Sequence, residues 1–237
     1  MSTSQHMPEH DASRASTAIP GVPWEELFKA LREQEQKSTN RAPGQSAVRL
    51  LQQAVRQYQT PICLKDLASM CGLGVPEASR SSKELEACGL AKRCAVAIGR
   101  TSIVFVEPTP EGLAFLGVAL PGGGGRGGPG HRYCLNLVER HLQGKGYSAT
   151  REVEVRGKRI DLLAVRGGTR AFVEVEMTDD NAARNATADL AVADASVKQI
   201  AVVCPTRKVL RMVEKAVRSA VPPHSLVRFA FKTVTEL

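Results

Sequence analysis

Three carboxylates fall inside runs that otherwise read as strands. "RIDLLAV" carries Asp161, and "AFVEVEM" carries Glu174 and Glu176. Strand alternation places Ile160, Leu162 and Ala164 on one face of the first run, and Asp161, Leu163 and Val165 on the other. Both faces are apolar apart from Asp161, so a carboxylate is expected in a buried strand. Such a charge is expensive unless it is paired, protonated or bound to a metal. In the second run Val173, Val175 and Met177 share one side, while Phe172, Glu174 and Glu176 share the other. Alone, that pattern is an exposed strand with a polar face. Beside Asp161 on a neighbouring strand it becomes a group of like charges, and a site holding three carboxylates needs a cation. A further carboxylate, Glu139, lies in "HRYCLNLVERHLQGKGY", on the edge of the helical stripe Leu135, Val138, Leu142.

These residues need a scaffold, and residues 131–237 supply one. The helix containing Glu139 is followed by "SATREVEV", an "RGK" turn, "RIDLLAV", an "RGGTR" turn and "AFVEVEM", a three-strand meander whose tight turns hold arginine and lysine. The helical "DDNAARNATADLAVA", the strand "VKQIAVVCP", the helix "RKVLRMVEKAVRSA" and the strand "LVRFAFKTV" complete a mixed α/β domain. Asp179 and Asp180 suit a helix N-terminus, where the dipole favours negative charge. Arg184 and Asn185 would extend toward a substrate backbone if that helix lies beside the site.

The other half of the chain has a different grammar. Residues 1–20 are polar and expected to be disordered. "VPWEELFKALREQEQK" places Trp24, Leu27, Phe28 and Leu31 at helical spacing, a packing or dimerisation stripe. Within residues 21–120, "SAVRLLQQAVRQYQ", "CLKDLASMCGLG" and "VPEASRSSKELEACGL" read as three helices, the last opened by Pro76 and stopped at Gly89. "AKRCAVAIGRTSIVFVEP" reads as two strands around Gly99 and Arg100, and Thr109 can cap a last helix, "PEGLAFLGV". "PGGGGRGGPG", residues 121–130, reads as a flexible linker on which the second domain swings, with Arg126 as a solvated charge.

Composition narrows the partners. The chain has 237 residues, a formal charge of +8 and a pI near 9.4, which favours nucleic acid over other polyanionic surfaces. No apolar run is long enough for a bilayer and no signal-peptide pattern opens the chain, so no membrane partner and a cytoplasmic location are expected. Six cysteines form no C-x-x-C pair and lack histidines at zinc-finger spacing, so they read as reduced, buried thiols.

Two resemblances sharpen this reading. "LASMCGLGVPEASRSSKELEACGLAKR" and "VEPTPEG" resemble MarR-type winged-helix proteins. By matching position, Ser79, Arg80 and Lys83 would face DNA, Ala78 and Leu85 the core, and Lys92, Arg93 and Arg100 the phosphates on or beside the wing. "LVERHLQGKGY", "KRIDLLAV" and "FVEVE" resemble the PD-(D/E)xK nuclease superfamily, in particular its restriction-endonuclease-like and Holliday-junction-resolvase-like branch. That resemblance implies Mg2+ (or Mn2+) held by Glu139, Asp161 and Glu174, a metal that activates water and stabilises the charge that builds up during phosphodiester hydrolysis. The family usually has lysine two residues after the strand glutamate, where this chain has Glu176. Glu176 could act as general base or hold a second metal, the lysine role could pass to Lys158, Arg184 or Lys198, or activity could be lost.

The fold class expected is therefore α+β and multidomain: an N-terminal winged helix-turn-helix, then an α/β restriction-endonuclease-like domain with a mixed central sheet. The function expected is a metal-dependent endonuclease targeted to duplex or branched DNA, with Glu139, Asp161, Glu174 and Glu176 as its catalytic set. Its rival is a DNA-binding regulator or adaptor with a degenerate nuclease-like domain that docks a protein partner such as an ATPase. Sequence alone leaves RNA open as the substrate.

Overall fold

The computed structural model describes residues 42–119 and 127–237; the expected N-terminal disorder, the Trp24 stripe and Arg126 lie outside the described residues. Three helices come first, α1 (Gln45–Arg56), α2 (Leu64–Met70) and α3 (Val75–Ala87). Ala47, Leu50, Leu51 and Ala54 give α1 one buried stripe at the spacing of a single helix face. The Cys63 sulfur accepts the Asp66 N–H at the start of α2, and Pro76 sits in the first turn of α3. A hairpin follows, β1 (Ala91–Ile98) and β2 (Thr101–Pro108), then a short α4 (Pro110–Phe115), whose Gly112 N–H is accepted by the Thr109 hydroxyl. Gly99 turns the hairpin at φ +60°, a region that side chains other than glycine's avoid.

Residues 129–237 build a five-stranded mixed sheet in the order β3-β4-β5-β6-β7. Its members are β3 (Ser148–Val155), β4 (Lys158–Arg166), β5 (Thr169–Val175), β6 (Val197–Cys204) and β7 (Phe229–Thr233). The first three pair antiparallel, and β5–β6 and β6–β7 pair parallel. Helix α5 (Pro129–Gly144) covers one face, packing Cys134, Leu135 and Val138 on Leu162, Val173, Val175 and Val203. Helices α6 (Ala182–Val192) and α7 (Arg207–Ala220) cover the other, with Ala182, Ala186, Val213 and Val217 on Ile160, Phe172, Ile200 and Val202. Each fully buried valine of α7 contributes about 1.5–3 kcal/mol relative to an exposed one. Among the described residues, no helix is long and apolar enough to cross a membrane.

A freely swinging second domain is not what the contacts describe. Arg41–Leu237 clusters as one compact unit. The hairpin has two apolar faces: Ala91 and Val106 join the core of α1–α3, while Ile98 and Phe105 join the core beneath α5. Gly130, which the sequence assigns to a tether, lies inside α5, where a Cβ would stand 2.7 Å from a Val96 methyl carbon. The hairpin turn docks as well, with the Gly99 N–H donating to the Pro205 carbonyl at 2.7 Å. Arg132 of α5 is buried; it pairs with Glu107 of β2 at 3.0 Å and lies 4.5 Å from the centre of the Tyr58 ring. A glycine run describes the entropy of its own segment. Whether the flanking elements possess a second apolar face is decided elsewhere.

Candidate functional site

The β4–β5 ladder runs from Arg166↔Thr169 to Leu162↔Val173 and stops there. Beyond it, the Asp161 carboxylate accepts the Val175 N–H at 2.9 Å, so a side chain takes the place of a strand partner. The alternation of β4 breaks at the same point. Ile160 and Leu163 pack on the α6–α7 side while Leu162 packs beneath α5, so the single apolar face expected for Ile160, Leu162 and Ala164 is divided between two cores. On β3, Glu152 has φ +50° between the pairs Arg151↔Leu162 and Val153↔Ile160, which places it opposite Asp161. A glutamate in that left-handed region stores about 1–3 kcal/mol, strain of a kind that gathers at functional sites.

Glu174 and Glu176 alternate with Val173 and Val175 as the sequence predicts, yet their face is not solvent. They are 5% and 9% exposed. Glu174 and Asp161 lie close enough for their charges to act on each other, and Asn185 of α6 donates to Glu176 at 2.8 Å. The Lys158 ammonium lies 3.5 Å from Glu174 and 3.2 Å from Asp189 of α6. His131, in the first turns of α5, bonds Asp161 through Nε2 at 3.1 Å. Four carboxyl groups thus meet one ammonium and one imidazole where β4 and β5 part.

Their protonation follows from this arrangement. Burial, with the charges of Asp161 and Asp189 added, pushes Glu174 up to about 10. Burial also works to raise Asp161, but its bonds to His131 and the Val175 N–H hold it below the usual carboxylate range. Burial raises Glu176 despite the Asn185 bond, and raises Asp189 against the pull of Lys158. For Lys158 burial works downward, and Glu174 and Asp189 outweigh it, so the ammonium persists. At neutral pH the central pair therefore holds one proton, on Glu174, facing an ionised Asp161.

Glu139 is not brought to this pair. Its carboxylate is held by the Arg151 guanidinium, which also donates to Asn136. It lies eight residues beyond His131, about 12 Å along the helix axis. Among the described residues, no group of three or more histidine, cysteine, aspartate or glutamate side chains stands ready to hold a metal. The donor set nevertheless fits a hard divalent cation: Asp161 and Glu174 are oxygen donors whose charges act on each other, and the proton that burial keeps on Glu174 can be displaced. Of the three basic residues that could take the lysine role, Lys158 lies in the cluster while Arg184 and Lys198 are exposed.

Two members of the cluster escape sequence reading, His131 and Asp189. A signal exists for each. His131 precedes Leu135 by four residues on the stripe of α5, and Asp189 follows Ala182 and Ala186 on the buried face of α6.

A second surface lies on α3. Ala78 and Leu85 are buried, Arg80 and Lys83 are exposed, and Ser79 is half-buried. The acidic residues of this helix are engaged within the bundle. Ser46 donates to Glu77 at 2.7 Å, the Gly44 N–H to Glu84 at 2.9 Å, and the Arg93 N–H to Glu86 at 3.1 Å. Lys92 and Arg100 are exposed, whereas Arg93 is half-buried, with its Nε lacking a partner.

No protein-family model matches the chain, and no curated protein matches it. Among solved structures, protein VC1899 from Vibrio cholerae matches at 13% identity and a TM-score of 0.34, over 81% of this chain and 54% of that one. The chain thus spans about half the length of VC1899. Likeness at this level adds nothing to the reading of the site.

Proposed function

We propose that the protein is a metal-dependent nuclease of the PD-(D/E)xK kind, carried to nucleic acid by a winged-helix surface on α3. The observation that carries the reading is the Asp161–Glu174 pair, two carboxyls whose charges act on each other at the point where β4 and β5 separate. Asp161 and Glu174 would hold the divalent cation, which supplies an activated water and charge stabilisation at the phosphate. His131 orients Asp161, whose Oδ2 it shares with the Val175 N–H. Lys158 offers the positive charge that an arriving phosphodiester needs at the edge of a carboxylate cluster. Glu139, tied to Arg151, serves the fold in this reading rather than the metal. The exposed Arg80 and Lys83, the internally bonded acids of α3 and the net charge of +8 support DNA as the bound polymer.

A second reading, a non-catalytic DNA-binding adaptor, is favoured by the lack of a ready three-ligand group among the described residues. Incubation with plasmid, branched and single-stranded DNA, and with RNA, in Mg2+ or Mn2+ separates the two. Cleavage that Asp161→Asn abolishes while DNA affinity is retained supports the nuclease. Absence of cleavage on every substrate leaves the adaptor.

A further inference from the structure

The proposed hydrolysis does not use Asp189, yet its position is costly. Helix α6 turns Ala182, Ala186 and Asp189 toward the sheet, and a carboxylate among alanines loses its solvation without apolar gain. Asp189 is 1% exposed, and neither of its oxygens has a hydrogen-bond partner. What it has is an ion pair. The Lys158 ammonium is 3.2 Å from Asp189 and 3.5 Å from Glu174, so two carboxyls divide one cation and the shorter contact goes to α6. Lys158 reaches the cluster because it follows the two-residue turn Arg156–Gly157, whose φ values of +49° and +80° fold β4 back on β3. Nothing in that turn fixes the far end of a flexible four-carbon side chain. The ammonium already donates to Glu174 at 3.5 Å, and without Asp189 it would settle there fully and compete with any other cation.

We propose that Asp189 is a positioning residue that shares the Lys158 ammonium with Glu174, so weakening its hold there and leaving Glu174 freer to share a divalent cation with Asp161. The anchoring stands on geometry alone; its consequence for the cation rests on the proposed function. Asp189 acts chiefly through Lys158, beside the direct effect of its own charge on Glu174, so its effect must shrink when Lys158 is gone.

The test is a double-mutant cycle on the full chain with two readouts. In the first, Mn2+ is titrated calorimetrically into the wild type, Asp189→Asn, Asp189→Glu, Lys158→Met and the Lys158→Met/Asp189→Asn double variant. Asp189→Asn is expected to weaken Mn2+ binding about tenfold, the scale of one altered buried charge contact. Asp189→Glu restores most of the affinity, and in the Lys158→Met background Asp189→Asn weakens binding by a clearly smaller factor, that of one nearby negative charge lost. A purely structural Asp189 would leave Mn2+ affinity unmoved. Unchanged affinity in Asp189→Asn, or equal weakening in both backgrounds, overturns the proposal.

The second readout is thermal melting without metal. Lys158→Met strands Asp189 as a buried, unpaired charge, so the double variant is expected to melt about 5 °C above Lys158→Met. Lys158→Gln repeats the cycle should the methionine variant fail to fold. If the wild type takes up no Mn2+, the proposed function falls and melting alone decides: recovery in the double variant supports the anchoring, and no recovery overturns it.

Discussion

Glu174→Gln should turn a pH-dependent protein into a less pH-dependent one. In the metal-free wild type, burial and the Asp161 charge raise Glu174 from its ordinary value of 4.5 to about 10. A folded-state value above the unfolded one gives stability that is complete below the unfolded value and drains as pH rises toward the folded one. Each pH unit inside that window costs at most about 1.4 kcal/mol through this one group. Between pH 7 and pH 9 the wild type should therefore lose up to about 2.7 kcal/mol relative to Glu174→Gln, which cannot ionise. Glu176, Asp189 and Lys158 titrate in both proteins, so the difference between the two profiles isolates Glu174. Urea unfolding in a chelating buffer at both pH values measures it. Saturating Mg2+ should reverse the trend for the wild type, because a cation must displace the Glu174 proton and gains as that proton becomes easier to remove. Parallel profiles for the wild type and Glu174→Gln would refute the argument, since Glu174 would then already be ionised at pH 7.

Three further outcomes follow from the same geometry. Glu139→Gln should cost about 1 kcal/mol of stability by weakening the bond to Arg151, and should leave Mn2+ affinity within about twofold in calorimetry. Gly130→Ala places a methyl group 2.7 Å from the Val96 side chain and should destabilise the protein by about 1–3 kcal/mol in urea unfolding. Arg80→Ala and Lys83→Ala should each weaken DNA binding and lower the slope of log affinity against log salt by about 1, with unchanged melting temperature.

The elements that local chemistry determines were legible in the sequence. Pro76 opened a helix, Thr109 capped one, and the "RGK" and "RGGTR" turns separated the strands of the meander, because caps and turns depend on residues a few positions apart. The alternation of Val173, Glu174, Val175 and Glu176 was also readable, though its meaning was not: whether α6 or water covers the acidic face is a tertiary fact. The break at Asp161 could not be read, since a side chain replacing a ladder partner leaves an ordinary hydrophobic pattern on either side. Glu139 shows the opposite error. Its place at the edge of an apolar stripe is real, but the side chain opposite that edge is Arg151, eleven positions before Leu162 in sequence and directly across from it on the neighbouring strand. His131 and Asp189 went unseen because each sits on a stripe where one polar residue reads as an exception rather than a member.

The central claim is that the Asp161–Glu174 pair is a seat for a divalent cation. A crystal soaked in Mn2+ and measured at the manganese absorption edge tests it directly. The account predicts an anomalous peak bonded to both carboxyls, about 2.0–2.2 Å from one oxygen of each. No peak at the point where β4 and β5 part, at a pH where wild-type protein is folded and Mn2+ is in millimolar excess, would contradict it.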